Sequence, residues 1–426
     1  MPATETLIYA GYISIVLLSL WGLWCDRLPY SLNKLFWLFC LVFFGISPLL
    51  QFALHTFPFP WTNNQENLKS FLATNNVVLC AMMVYGIIRL AVWKGSQRET
   101  LIQLPARTDG LSRAGIILLF IALAIQILIA PNLLVRQAVD APGLIRNQSL
   151  QLLADKAVKG IVLCGILSLL TGYRERKVSP GLLTGAMALT ALANMPTAIP
   201  RYWLACLYLG VAITCCLRLL VLRARLFETL LFAGLIIIFP LLSLIRQAPA
   251  SQYPSGNIMQ RTFCSQDFDA YASLRNTILH TETQGMQHGK QIGTTLMFFV
   301  PRSVWPAKSI GSGAIVNPPR PGSDFNNYCS PLPAEGYLDF GFTGALLWVA
   351  VCALFAGWYD RYYWFSRKDP NSFARLFYPA YPGLFFFTLR GDLLSSFAYS
   401  VGIAASGYVF YRVFVSRRSG RQVNRL

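Results

Sequence analysis

Residues Leu226–Ile245 read LFETLLFAGLIIIFPLLSLI, and the character of the chain changes at the next residue, Arg246. Twenty residues carrying one charge, Glu228, are long enough as a helix to cross a hydrocarbon core of about 30 Å. The following segment, Arg246–Asp339, is polar for about ninety residues, and from Gly341 the sequence is apolar again to Tyr359. A helical bundle in lipid needs no such insertion to be stable, and a loop of this length is usually functional.

Outward from this segment, apolar stretches near twenty residues recur at roughly 6–24, 34–54, 76–93, 114–133, 157–172, 181–199, 202–221, 226–245, 341–359, 376–390 and 393–412. The expectation is an all-α polytopic membrane protein of about 11 transmembrane helices with one large periplasmic loop. Residues 1–245 hold about eight spans, 246–340 the loop, 341–412 the last three spans, and 413–426 a basic tail. The composition agrees: 55% hydrophobic, 14% aromatic and only 13% charged, with a mean hydropathy of +0.48.

The net charge of +18 would suit nucleic acid if it were clustered. It is instead divided by topology. With a cytoplasmic C-terminus, the inner loops (25–34, 89–113, 173–180, 218–225, 360–375 and 412–426) hold 22 of the 36 Lys and Arg, leaving 14 outside. That is the positive-inside bias, so no nucleic-acid partner is expected. The N-terminus is then periplasmic; Met1–Thr6 carries no Lys or Arg. It lacks a basic leader and a small-residue cleavage site, so the first span is read as permanent. Arg412, Arg417, Arg418, Arg421 and Arg425 read as an anchor at anionic lipid.

Within the polar segment, Asp267–Thr283 reads as an amphipathic helix, with Tyr271, Leu274 and Ile278 on one face and Asp269, Ser273, Asn276 and His280 on another. Ser265 or Asp267 is placed to cap it. Ile292–Val300 is apolar but too short to span, as a re-entrant or interfacial segment would be. Pro301 ends it and leaves Arg302 at the membrane surface, with Trp305 interfacial by type and Pro306 stiffening the approach to Lys308. A glycine- and proline-rich tract, 310–323, follows. Of ten cysteines only Cys264 and Cys329 fall in this segment; they are either a disulfide or two unrelated thiols. Three scattered histidines, His55, His280 and His288, make no metal-ligand pattern, and no metal or cofactor is expected.

Arg201, Arg302, Lys308 and Arg390 each abut a span on the outer face, where positive charge is normally depleted, and Asp392 shares the short turn with Arg390. Cations beside Trp at a membrane border often only snorkel. A group of them suits an anionic ligand, above all a phosphate or pyrophosphate.

Four runs carry a resemblance: Phe299–Lys308 (FVPRSVWPAK), Ala334–Gly341 (AEGYLDFG), Asn194–Trp203 (NMPTAIPRYW) and Leu389–Asp392 (LRGD). With their order and the loop preceding the last spans, the chain resembles the Wzy-type polymerases of bacterial polysaccharides. Ser309 and Asp339 depart from the family's commoner Pro and Asn. The resemblance implies a GT-C-like membrane glycosyltransferase of the bacterial inner membrane, inverting and metal-independent. Undecaprenyl diphosphate would carry both the glycan donor and the acceptor, and a chain-length regulator and a flippase are implied as partners. The departing pyrophosphate needs preorganised cations, and the attacking hydroxyl needs a base. Arg302 is assigned first to the pyrophosphate, with Arg201, Lys308 and Arg390 assisting. Glu335 is the preferred base, and Asp339, Asp392 and His280 are weaker candidates. Arg275 and Asp269 either bind sugar hydroxyls or pair with each other, while Trp305 and Tyr337 complete the candidate substrate contacts. The alternative for Glu335 is a charge favouring the dipole of its own helix. An O-antigen ligase and a flippase or transporter of lipid-linked oligosaccharide are the rival functions.

Overall fold

A computed structural model describes residues 2–59, 67–93, 110–129, 148–223, 225–245, 257–317, 328–366 and 371–415. The described residues form helices joined by turns, without strands. The start of the polar segment, Arg320 with the end of the 310–323 tract, and the tail arginines from Arg417 lie outside them. Six helices are long and apolar enough to cross a bilayer: Ala3–Cys25, Leu32–Ala53, Leu68–Trp93, Arg201–Leu222, Leu332–Phe365 and Leu393–Phe414. The helical membrane class is therefore clear. The other five expected spans coincide with helices that are shorter, charged or broken. Pro180–Ala193 has 14 residues, about 21 Å of helix, and Gln148–Arg174 carries Asp155, Lys156 and Lys159. Arg113–Leu128 and Leu226–Leu242 are short apolar helices. The stretch Phe373–Arg390 is interrupted by a tight turn at Tyr378–Ala380.

The chain divides into two compact units. The first comprises Met1–Arg98, Arg223–Arg361 and Phe385–Ala398. Its helix Leu32–Phe39 starts at Ser31, whose side chain accepts the Lys34 N–H. The helix then continues through a π-helical turn, Cys40–Ile46, into Ser47–Ala53. Aromatic rings fill the interior: Phe36 stacks on Tyr85 at 3.5 Å and Phe43 on Phe268 at 5.4 Å. The second of these contacts ties the polar segment to a membrane helix. Gln51 strengthens the tie, donating to the carbonyls of Phe263 and Phe268 at 2.8 and 2.9 Å.

Two expectations for the polar segment change. The helix at 267–283 forms as Ala270–Gln284, but Ala270–Ile278 is buried without interruption, so it is an interior helix and not an amphipathic surface one. Ser265 stands before the short turn Gln266–Phe268, and neither it nor Asp267 caps the helix: Asp269 occupies that position, and its side chain makes no capping bond. The run 292–300 is mostly a seven-residue helix, Lys290–Leu296, followed by turns. Leu296, Met297, Phe299 and Val304 are exposed there, which suits an interfacial position.

Leu332–Phe365 is two helices meeting at a reversal. Gly341 has φ +65° and ψ −149°, a backbone state that glycine adopts without strain. The short arm folds back so closely that a Cβ on Gly336 would stand 2.2 Å from the Gly344 carbonyl oxygen. The glycines of EGYLDFGFTG thus explain why a 34-residue helix is not one rod.

The second unit comprises Glu99–Leu222, Tyr362–Leu384 and Tyr399–Leu426. Leu163, Leu167, Trp203, Cys206, Phe377 and Ile403 form its principal core. Its helices approach through small residues: Gly160 lies against Ile403 and Gly407, and Gly383 against Ala205 and Cys206.

Candidate functional site

In the first unit the polar segment meets the ends of two helices at Glu335. This side chain is 2% exposed. Its Oε1 accepts from the Ser312 hydroxyl and from the Leu393 N–H at 3.0 Å, and Ser330 also bonds the carboxylate. Glu335 therefore holds three chain segments together, including the first N–H of the Leu393–Phe414 helix. Glu335 also lies in the first turn of its own helix, where its charge favours the helix dipole, so it serves two helix termini.

Asp392 stands close enough to Glu335 for their charges to repel. Its Oδ1 accepts the Ser395 N–H at 2.9 Å, capping the same helix. Burial pushes its carboxyl above the usual range, against the pull of the Ser395 bond. Gly311 backs onto it: a Cβ there would lie 3.3 Å from the carboxyl carbon. Two carboxylates and three serines thus converge where the chain leaves the 302–309 turn.

Arg390 turns to a different partner. It donates to Asp269 Oδ1 at 2.9 Å and to the Gln266 carbonyl at 3.1 Å, with Phe239 and Phe43 beneath the guanidinium. Asp269 is 2% exposed. With Asp269 taken by Arg390, the alternative in which Arg275 and Asp269 pair with each other gives way. Arg275 instead makes a cation–π contact, lying over the Phe71 ring at 4.2 Å, and is 3% exposed. Cys329 joins the Arg390–Asp269 pair, its thiol donating to the Arg390 carbonyl at 2.7 Å. Cys264 and Cys329 are separate buried thiols, so the disulfide alternative gives way. Cys264 instead ends the helix Ile258–Phe263.

The run Pro301–Lys308 closes on itself. Arg302 donates to the carbonyls of Lys308 and Ser309 at 2.7 and 2.9 Å. Lys308 donates to those of Phe298 and Val300 at 2.7 and 2.9 Å. Burial, and then the neighbouring Arg302 charge, hold the Lys308 ammonium below the usual lysine range. Arg302 is exposed and Trp305 half-buried. A guanidinium has five N–H donors, and these two bonds leave Arg302 with others to offer a ligand.

Asp339 is not a free base. Fully buried, it accepts the N–H groups of Gln291 and Ile292 at 3.1 and 2.9 Å and so caps Lys290–Leu296. His280 is half-buried on the helix Ala270–Gln284, its imidazole lowered by partial burial. Tyr337 is half-buried beside Glu282. Arg201 belongs to the second unit, at the start of the helix Arg201–Leu204. Among the described residues no group of three or more His, Cys, Asp or Glu side chains is arranged to hold a metal.

Sequence reasoning missed Ser312, Ser330 and the second unit's Lys156 and Lys159. The signal for Ser312 is its flanking glycines: at Gly313 a Cβ would stand 2.2 Å from the Tyr328 carbonyl oxygen. The glycine- and proline-rich tract is thus closely packed around Ser312.

In comparisons with known proteins, the chain matches no family model, no curated protein and no solved structure.

Proposed function

We propose that the chain is a membrane glycosyltransferase that polymerises oligosaccharide repeat units carried on undecaprenyl diphosphate. The reading puts it in a bacterial inner membrane, with its active site on the periplasmic face, its N-terminus outside and its C-terminus inside. The observation that carries the proposal is Glu335: a buried carboxylate, beside a second one, fixed by the long polar segment at a helix terminus. Buried ionisable groups at a membrane edge are functional candidates. The Arg302–Lys308 turn leads directly into Gly311 and Ser312, so a cationic and an acidic element follow each other along one stretch of chain.

The chemistry then runs as follows. An acceptor hydroxyl oxygen attacks the anomeric carbon of the lipid-linked donor, and the bond from that carbon to the diphosphate oxygen breaks. The hydroxyl proton passes to Glu335. The electron pair leaves with undecaprenyl diphosphate, whose growing charge Arg302 stabilises through its remaining donors. Attack opposite the leaving group inverts the anomeric centre.

The deciding experiment is the lipopolysaccharide or capsule banding pattern of cells lacking the chain, complemented with wild type or Glu335→Gln. A single repeat unit in the deletion, a ladder with wild type and a single unit with a stably inserted Glu335→Gln support the proposal. Complete loss of repeat units in the deletion points to a ligase or flippase, and an unchanged ladder overturns the reading.

A further inference from the structure

Two buried cations of the first unit each meet a carboxylate. Lys34 meets Glu228 at 2.9 Å and Arg89 meets Asp360 at 2.7 Å. Such pairs are explained by structure alone, since each charge has its neutraliser.

In the second unit, at the start of the helix Gln148–Arg174, two buried cations share one carboxylate. Lys156 and Lys159 both bind the same oxygen, Asp155 Oδ2, at 2.5 and 2.7 Å. Both lysines are under a tenth exposed, so one carboxylate serves two buried cations, and among the described residues no second carboxylate meets them. Lys156 is well occupied: it also donates to the Tyr202 hydroxyl at 2.8 Å and stands 3.8 Å from the centre of the Tyr399 ring. Lys159 makes one hydrogen bond among the described residues, to Asp155, whereas an ammonium has three donors. The Asp155 side chain is 38% exposed, which places the opening of the cluster on its side. The rings of Tyr202 and Tyr399, 5.3 Å apart, form the wall.

We propose that Lys156 and Lys159 form a binding site for a phosphate group, with Lys159 as its principal donor. Two buried ammonium groups sharing one carboxylate repel each other, and a further anion that restores neutrality makes the arrangement more favourable. A phosphate monoanion supplies the single missing charge, and its several oxygens can accept from Lys159 without displacing Asp155. Lysine binds such a group as a point charge. The phosphate has two possible sources, a phospholipid headgroup or the diphosphate of a polyprenyl carrier. The inference does not rest on the polymerase reading, because it follows from the shared carboxylate of Lys156 and Lys159 among the described residues.

The test uses the purified full-length Arg302→Ala protein in neutral detergent, which removes the other candidate phosphate contact. Its thermal unfolding is followed with inorganic pyrophosphate and, at matched ionic strength, with acetate. Pyrophosphate should raise Tm by about 3 °C or more at saturating concentration, and acetate should not. Adding Lys159→Gln should remove the response while raising the ligand-free Tm, because one lysine then matches one carboxylate. Lys159→Arg should keep the response, and Lys156→Gln, which also leaves one lysine for Asp155, gives a second route to the same answer. The proposal fails if pyrophosphate has no effect, if acetate acts equally, or if the response survives Lys159→Gln. In nanodiscs, suppression of the response by phosphatidylglycerol assigns the site to a lipid headgroup. Persistence there, with displacement by a polyprenyl diphosphate, assigns it to the carrier. The banding pattern in cells reads the polymerase proposal separately, so either can fail alone.

Discussion

Arg302 is exposed and directs two donors at the carbonyls of Lys308 and Ser309, whereas Glu335 is 2% exposed and draws Ser312 and Leu393 toward itself. The first is a charged group that shapes its own turn, with capacity left over. The second is a charged group around which distant segments assemble. Water screens the first and largely not the second. The difference teaches that the most motif-like run of a sequence, FVPRSVWPAK, is not for that reason its chemical centre. Lys308 and Arg302 serve backbone carbonyls first, so phosphate binding there has to use what the turn leaves open.

The comparison breaks most visibly at Glu335. Glu335→Gln keeps the size of the side chain, and the amide can still accept from Ser312 and Leu393, but it no longer takes a proton. Loss of a general base typically lowers turnover by about 10²–10⁴-fold, so the ladder should collapse to a single repeat unit while membrane insertion, measured by fractionation, stays normal. Arg302→Ala should also shorten the chains severely. Arg302→Lys sharpens the point: an ammonium does not match the planar fork that spans two carbonyls, so both the turn and the polymer length should recover only partly. Full recovery by Lys would show that charge alone matters at this position.

A third change separates stability from chemistry. Asp269→Asn leaves the half-buried Arg390 without its carboxylate, at an expected loss of about 2 kcal/mol. A lower Tm with residual polymer of normal length would identify the Asp269–Arg390 pair as a support for the Asp392 turn. Loss of polymer at unchanged Tm would instead make Arg390 part of the reacting site.

How much of this was legible in the sequence follows from the range of the interactions. Hydrophobic length is a local property, and it marks Ala3–Cys25 or Leu68–Trp93 without any knowledge of neighbours. The prominence of Glu335 was legible too, through the run Ala334–Gly341. The partners were not. Asp269 chooses Arg390, 121 residues away, over Arg275, six residues along the chain, and no periodicity encodes that choice. The helix Ala270–Gln284 misleads for a related reason: its polar residues read as a solvent face, but Asn276 bonds Asn317 at 2.9 Å inside the fold. Lys156 and Lys159 escaped notice because two lysines near the start of a span look like ordinary border charges until their shared carboxylate is seen.

Asp339 gives the smallest effect and the cleanest contrast with Glu335, since the two carboxylates lie four residues apart and both are buried. Asp339 accepts two N–H groups at the start of Lys290–Leu296, which is a cap and leaves no proton-accepting task to explain. Asp339→Asn keeps an oxygen for one of these bonds and should lower stability by about 1 kcal/mol, with a near-normal ladder. Asp339→Ala removes both bonds, loosens the helix that leads into Arg302, and should shorten the ladder slightly at raised temperature. If Asp339→Asn abolished polymerisation in a protein that unfolds at the wild-type Tm, the base would belong at Asp339, and Glu335 would become the structural member of the pair.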